Sequence, residues 1–219
     1  MKNTKTIGAL QVRGNSTYIH VKNGVTLNVG EKSGSETILN GYFTGSSSLR
    51  INKNGQTPIT LGGGFTMPSG AELNINAASK LIVNTDITAE LPYTLTIASS
   101  IPTISGTGTV SESIFASAGT YEVKATDGGL NVDGTVDLAM LNLILDLDGI
   151  DPSDKGKTYS LLTAKTMEGT MPAGWSEMLS PLNDGETKGS WKVRRVNNGD
   201  GTQSLVLRFV KKGFVIIFK

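Results

Sequence analysis

The chain of 219 residues has no cysteine. Neither a disulfide framework nor a thiolate metal site is therefore open to it. This does not argue against export, because large repeat folds hold together by burial without covalent staples. Charge of one sign is also missing: 20 Lys and Arg face 19 Asp and Glu, for a net +1. Recognition of phosphate backbones needs concentrated positive charge, so no nucleic-acid partner is expected. No apolar run approaches the roughly 20 residues that cross a bilayer, so no membrane span is expected either. The start, Met1-Lys2-Asn3-Thr4-Lys5, carries signal-like charge. The apolar stretch after it is broken by Gln11 and Arg13, short of an h-region of about 7–15 residues. The chain thus reads as a mature piece or a fragment whose export signal lies elsewhere. A single histidine, His20, leaves a His-dependent catalytic triad almost no material.

What the chain does have is glycine, 27 residues against only seven prolines, about double the usual glycine share of ~7 %. That balance marks frequent tight turns between ordered strands. Helical periodicity is nearly absent. Period-two alternation rich in Thr, Val and Ile recurs from Thr6 to about Val136. Within it lies an internal echo. Gly24-Val25-Thr26-Leu27-Asn28-Val29 and Gly70-Ala71-Glu72-Leu73-Asn74-Ile75 share one pattern, and Ser48-Leu49-Arg50-Ile51-Asn52, Leu95-Thr96-Ile97 and Gly129-Leu130-Asn131-Val132 repeat its core. Leu27, Leu49, Leu73 and Leu95 are 22, 24 and 22 residues apart, and Leu39, Leu61 and Leu81 follow at 22 and 20.

A near-constant beat in this range predicts a solenoid. Each turn would supply two or three short strands with Leu and Ile inward, Asn, Lys or Thr outward, and Gly at the corners. Five or six coils about 4.8 Å apart make a rod on the order of 25–30 Å long. The competing architecture is an antiparallel β-sandwich binding domain, whose strands recur every 8–12 residues without a shared motif. The expected fold is therefore all-β, a parallel β-helix over residues 6–136 followed by a capping β region over 137–219. Leu27, Leu49, Leu73, Leu95 and Leu130 are the expected core of the coil, and Trp191 that of the cap.

The texture changes near residue 136. Val136 to Leu147 is the densest apolar stretch and reads as strands, because Leu143, Leu145 and Leu147 alternate and no helix cap closes it. A loop from Asp148 to Gly156 follows, then a strand through Tyr159 to Ala164. Three closing strands are predicted at Ser190–Val196, Gln203–Val210 and Phe214–Phe218, the first two joined through Asn197-Asn198-Gly199-Asp200-Gly201. The last is read as a strand packed on the cap, with a recognition tail or an edge for pairing with another chain as the alternative.

The Gly-x-x-Leu-Asn-Val repeats resemble the β-strand repeats of bacterial autotransporter passengers and related surface proteins. The closing segment is similar as well, through Gly156-Lys157-Thr158-Tyr159-Ser160-Leu161-Leu162-Thr163-Ala164, then Gly189-Ser190-Trp191-Lys192-Val193, then Asp200-Gly201-Thr202-Gln203-Ser204-Leu205-Val206-Leu207. The resemblance covers most of the chain as a pattern of texture. It implies a right-handed parallel β-helix with a short β-sandwich-like cap, displayed at the bacterial cell surface or outside the cell. It brings no catalytic residues. An autotransporter continues into a membrane barrel of strands about ten residues long, and no such series is present in these residues.

Several side chains could carry chemistry. Asp146, Asp148, Asp151 and Asp154 crowd a Gly-bearing loop and are the best candidate for Ca²⁺, which takes six to eight oxygens. Their spacing is not that of an EF-hand loop, and an ordinary solvated turn is the simpler reading. Glycoside cleavage would need two carboxylates about 5–10 Å apart in a groove. Asp86, Asp127, Asp133 and Asp137 are the outward carboxylates available. Gly62-Gly63-Gly64 lacks the Lys-Ser/Thr of a phosphate loop and reads as a corner. Trp175 and Trp191 could stack on sugars, but as the only two tryptophans they are better read as core anchors. No cofactor is expected. The expectation is a non-catalytic structural or adhesive module whose partner is a carbohydrate or a host or cell-surface protein. A polysaccharide-binding or polysaccharide-cleaving β-helix is the alternative.

Overall fold

The structure, a computed structural model, describes residues 3–7, 10–14, 17–21, 24–30, 36–45, 47–88, 91–98 and 101–212. The predicted strand Phe214–Phe218 lies outside the described residues.

Short strands follow one another around a three-faced coil. The first turn holds β1 (Asn3–Ile7), β2 (Gln11–Val12) and β3 (Tyr18–Val21), and the second β4 (Val25–Val29), β5 (Thr37–Leu39) and β6 (Tyr42–Gly45). The third has β7 (Arg50–Lys53) and β8 (Ile59–Leu61), and the fourth β9 (Glu72–Ile75), β10 (Leu81–Val83) and β11 (Asp86–Ile87). The fifth is β12 (Thr94–Ile97), β13 (Thr103–Gly106) and β14 (Thr109–Ser111). A short helix α1 (Glu112–Ser117) then precedes β15 (Thr120–Lys124) and β16 (Leu130–Asp137), and β17 (Leu143–Asp146) leads to β18 (Thr158–Glu168).

Each strand pairs in parallel with its counterparts one turn away. One sheet runs β1-β4-β7-β9-β12, a second β17-β15-β13-β10-β8-β5-β2, and a third begins β11-β14-β16-β18. The result is a β-solenoid of about six turns. The sandwich alternative is thereby excluded, because neighbours one turn apart run in the same direction. Parallel pairing also carries on past residue 136, through β15–β17 and β16–β18.

The register shows why the apolar beat is close to 22 residues. On the first sheet one inward row is Leu27–Ile51–Leu73–Leu95. Leu49 is not in that row; it lies one residue before β7 and is itself fully buried. The step from β4 to β7 takes 24 residues, so counting from leucine to leucine shifts the apparent register by two. On the second sheet Leu39 pairs with Leu61 and Leu61 with Val83, while Leu81 belongs to the neighbouring row with Ile59 and Ile104. Leu130 is buried on β16, in register with Leu162. Phe43, Phe65 and Tyr93 pack edge to face at centroid distances of 5.9 and 5.8 Å, linking three turns at one corner.

Corners need special backbone. Gly106 ends β13 with φ +122°, and a Cβ there would lie 2.0 Å from the Val83 carbonyl oxygen of the turn below. Only glycine permits that approach.

One lysine breaks the expected pattern. Lys53 occupies the inward row between Val29 and Ile75 and is fully buried, not outward. Its ammonium donates to the carbonyls of Gly55 and, at 3.3 Å, Ala77, and no carboxylate among the described residues pairs with it. Burial pushes its pKa down from the ordinary lysine value.

The end of the coil is closed differently. Leu138 to Met140 form a turn instead of the strand expected across Val136–Leu147. α1 follows β14, and its Phe115 packs on Tyr121 at 5.5 Å. The Tyr121 hydroxyl donates to the Leu161 carbonyl at 2.6 Å and accepts from the Leu130 N–H at 3.0 Å, tying three strands together in the interior. β19 (Gly189–Asn197) and β20 (Gln203–Lys211) form the hairpin expected around Gly199 and Gly201, and β20 pairs antiparallel with β18. The cap thus extends the third sheet itself. A 3-10 segment (Ala173–Leu179) and α2 (Ser180–Asn183) lie against it, and Trp191 is 1 % exposed.

Two outcomes are expected. Leu73→Ala, which empties a site covered by Ile51 and Leu95, costs about 2–5 kcal/mol in urea unfolding. Leu95→Ala, at a half-buried site on the last strand of its sheet, costs clearly less; equal losses would contradict the row assignment. Lys53→Met tests the buried cation. With its folded pKa depressed, the native state binds fewer protons than the unfolded state as pH approaches 10.5, so stability rises with pH in that window. The methionine side chain is uncharged at every pH, so the variant is more stable than wild type at pH 7 and the gap narrows toward pH 10.

Candidate functional site

The coil presents regular outer rows. On the first sheet the row Thr6–Asn28–Asn52–Asn74–Thr96 runs across five turns. The Asn52 amide donates to the Asn28 Oδ1 at 2.9 Å, and the Asn74 amide to the Asn52 Oδ1 at 3.0 Å. Asn76 donates to Asn54 at 2.8 Å in a parallel position. Identical side chains stacked at strand spacing can pass hydrogen bonds along the rod, which is why Asn recurs after the inward Leu or Ile. In the adjoining outer row Arg50 and Glu72 form an ion pair at 2.8 Å.

Several of the carboxylates are engaged locally. Asp146 Oδ1 accepts the Asp148 N–H at 2.8 Å, and Asp151 Oδ1 accepts the Ser153 N–H at 2.8 Å and its hydroxyl at 2.7 Å. Those two bonds hold the Asp151 carboxyl below its usual range. Among the described residues no three acidic or imidazole side chains converge as a metal site, so Asp146, Asp148, Asp151 and Asp154 stay separate turn residues. Asp133 pairs with Lys165 at 2.5 Å, and Asp137 caps the Ala139 N–H at 2.9 Å. Asp86 is exposed on β11, and Asp127 edges a shallow groove on the second sheet. That groove also holds Lys80 and Glu122, joined at 2.8 Å. His20 is exposed on β3, while its neighbour Val21 turns inward. Gly62 and Gly64 form a corner over Asn40, whose Oδ1 accepts the Gly64 N–H at 2.9 Å.

Two features escape a reading of the sequence. One is the inward Lys53. The other lies in the cap, where Trp175 and Trp191, 16 positions apart, line one cleft of about 340 Å³ together with Met171, Leu179 and Val193. Both indoles are buried, as expected of core anchors, yet they also wall an opening. The connection between them carries no periodic signal, and packing of the 3-10 segment on β19 brings them together.

No helix among the described residues is long and apolar enough to cross a membrane. Compared with models of known protein families, with curated proteins and with solved structures, the chain gives no match.

The Asp loop generates one outcome. Because Asp146 and Asp151 each hold a turn of their own and the four carboxylates do not converge, thermal melting curves in Ca²⁺ and in chelator should coincide; a Ca²⁺-dependent rise lost in Asp151→Asn would show a site.

Proposed function

We propose that the chain is a non-catalytic structural or adhesive module displayed outside the cell or at a bacterial cell surface, of the kind found in autotransporter passengers. The observation that carries this reading is the stacked, in-register coil with its hydrogen-bonded asparagine row. It makes a stiff support that repeats the same polar groups at strand spacing. A surface of that kind suits contact with an extended or repetitive partner, either a carbohydrate or a cell-surface protein. The Asp133–Lys165 ion pair and the Asp137 turn bond on the third sheet support a non-catalytic role, since both carboxylates act within the fold.

A second reading, polysaccharide binding, draws on the shallow groove bearing Lys80, Glu122, Lys124 and Asp127, whose alternating charges and flanking Asn84 and Thr107 could meet sugar hydroxyls.

The test applies labelled protein to arrayed polysaccharides and cell-surface proteins, with retention and release of reducing ends both measured. Retention without cleavage is expected. Cleavage that copurifies with the protein and vanishes in Asp133→Asn or Asp137→Asn would refute the non-catalytic reading.

A further inference from the structure

β19 is the outermost strand of the third sheet. On its open side the backbone of Trp191 is already matched by a side chain. Its N–H donates to Asn183 Oδ1 at 2.6 Å, and its carbonyl accepts from Asn183 Nδ2 at 3.1 Å. The Asn183 amide thus stands in for one residue of a neighbouring strand. In an antiparallel ladder alternate residues direct their backbone groups to the same side. Val193 and Arg195 therefore present theirs beyond Trp191, where no further strand lies among the described residues. The cleft walled by Met171, Trp175, Leu179, Trp191 and Val193 runs beside this edge, and within its wall the Trp191 indole N–H is buried without a partner among the described residues. Met171, on the rim, is 36 % exposed.

Charge narrows the choice of partner. Residues 188–212 hold seven Lys or Arg and one Asp, in a chain whose net charge is only +1. Lys192 and Arg208 are directly opposite one another in register, and Arg194 follows on the same outward face. Like charges placed opposite each other destabilise a sheet, and no carboxylate among the described residues forms an ion pair with any of the three. An anionic partner would remove that repulsion.

We propose that this edge and cleft dock an extended acidic peptide segment, which adds to β19 as a strand beyond Trp191 and places one apolar side chain in the cleft. The proposal rests on the adhesive-module reading and names the kind of partner it would hold. A sugar chain fits less well, because it has no backbone to complete the ladder and the cleft wall is mainly apolar.

Trp175 and Trp191 are the only tryptophans and both line the cleft, so intrinsic fluorescence reports its occupancy directly. The probe is a synthetic peptide alternating Glu with Val around a central Leu. Two controls have Lys in place of Glu, or N-methyl groups on alternate backbone nitrogens. The acidic peptide should shift the emission saturably and both controls should not. Exposed Lys192→Glu with Arg194→Glu should weaken binding about tenfold or more with the circular dichroism unchanged. Val193→Pro, which removes an edge donor where proline is tolerated, should abolish binding; if that variant does not fold, the N-methylated peptide still decides the point. Equal binding of either control peptide, or competition by polyglucuronate at the same affinity, overturns the proposal. If the arrays still retain a protein that ignores the acidic peptide, only the docking assignment falls; loss of retention on the arrays would instead remove the adhesive reading beneath it.

Discussion

Each turn of this coil covers the inward side chains of the turn before it, and no turn could do so alone. A strand of three to five residues with two inward side chains buries too little apolar surface to offset its own ordering. Stacked in register, Ile51 and Leu73 become fully buried while Leu27 and Leu95 remain half-covered. The parallel ladder is therefore both the scaffold and the source of stability, and every other feature has to conform to its spacing.

The outer asparagine row follows from that spacing. Once leucines are held one strand apart, the residue after each is held one strand apart as well, and Asn28, Asn52 and Asn74 pair amide to amide. Corners obey the same constraint from the backbone side, where Gly106 allows the Val83 carbonyl to approach. Lys53 shows how much the ladder tolerates. Its inward position is fixed by strand alternation, and among the described residues its ammonium is met by loop carbonyls of its own and the next turn.

A ladder also has to end. Here the direction of the chain reverses: β20 pairs antiparallel on β18, and the Asn183 side chain occupies part of the last edge. Aromatic packing also supports this closure, with Trp191 6.2 Å from Tyr159 and 6.0 Å from Phe209, large side chains over a core that no further turn covers among the described residues. Functional surface arises there too, since the place where repetition stops is where unlike segments meet.

A stack of β-coils of about two dozen residues with leucines inside was legible along the chain, since alternation and repeat spacing are local properties written in residues such as Leu73, Asn74 and Ile75. The hairpin at Asn197–Gly201 was equally legible, because turn chemistry is local. Which residues share a row emerges only in three dimensions: two extra residues between β4 and β7 put Ile51, not Leu49, over Leu27, and loop length has no effect on periodicity read along the chain. The inward Lys53 and the meeting of Trp175 with Trp191 were likewise invisible, since burial of a charge and closure of a cleft depend on partners distant in sequence.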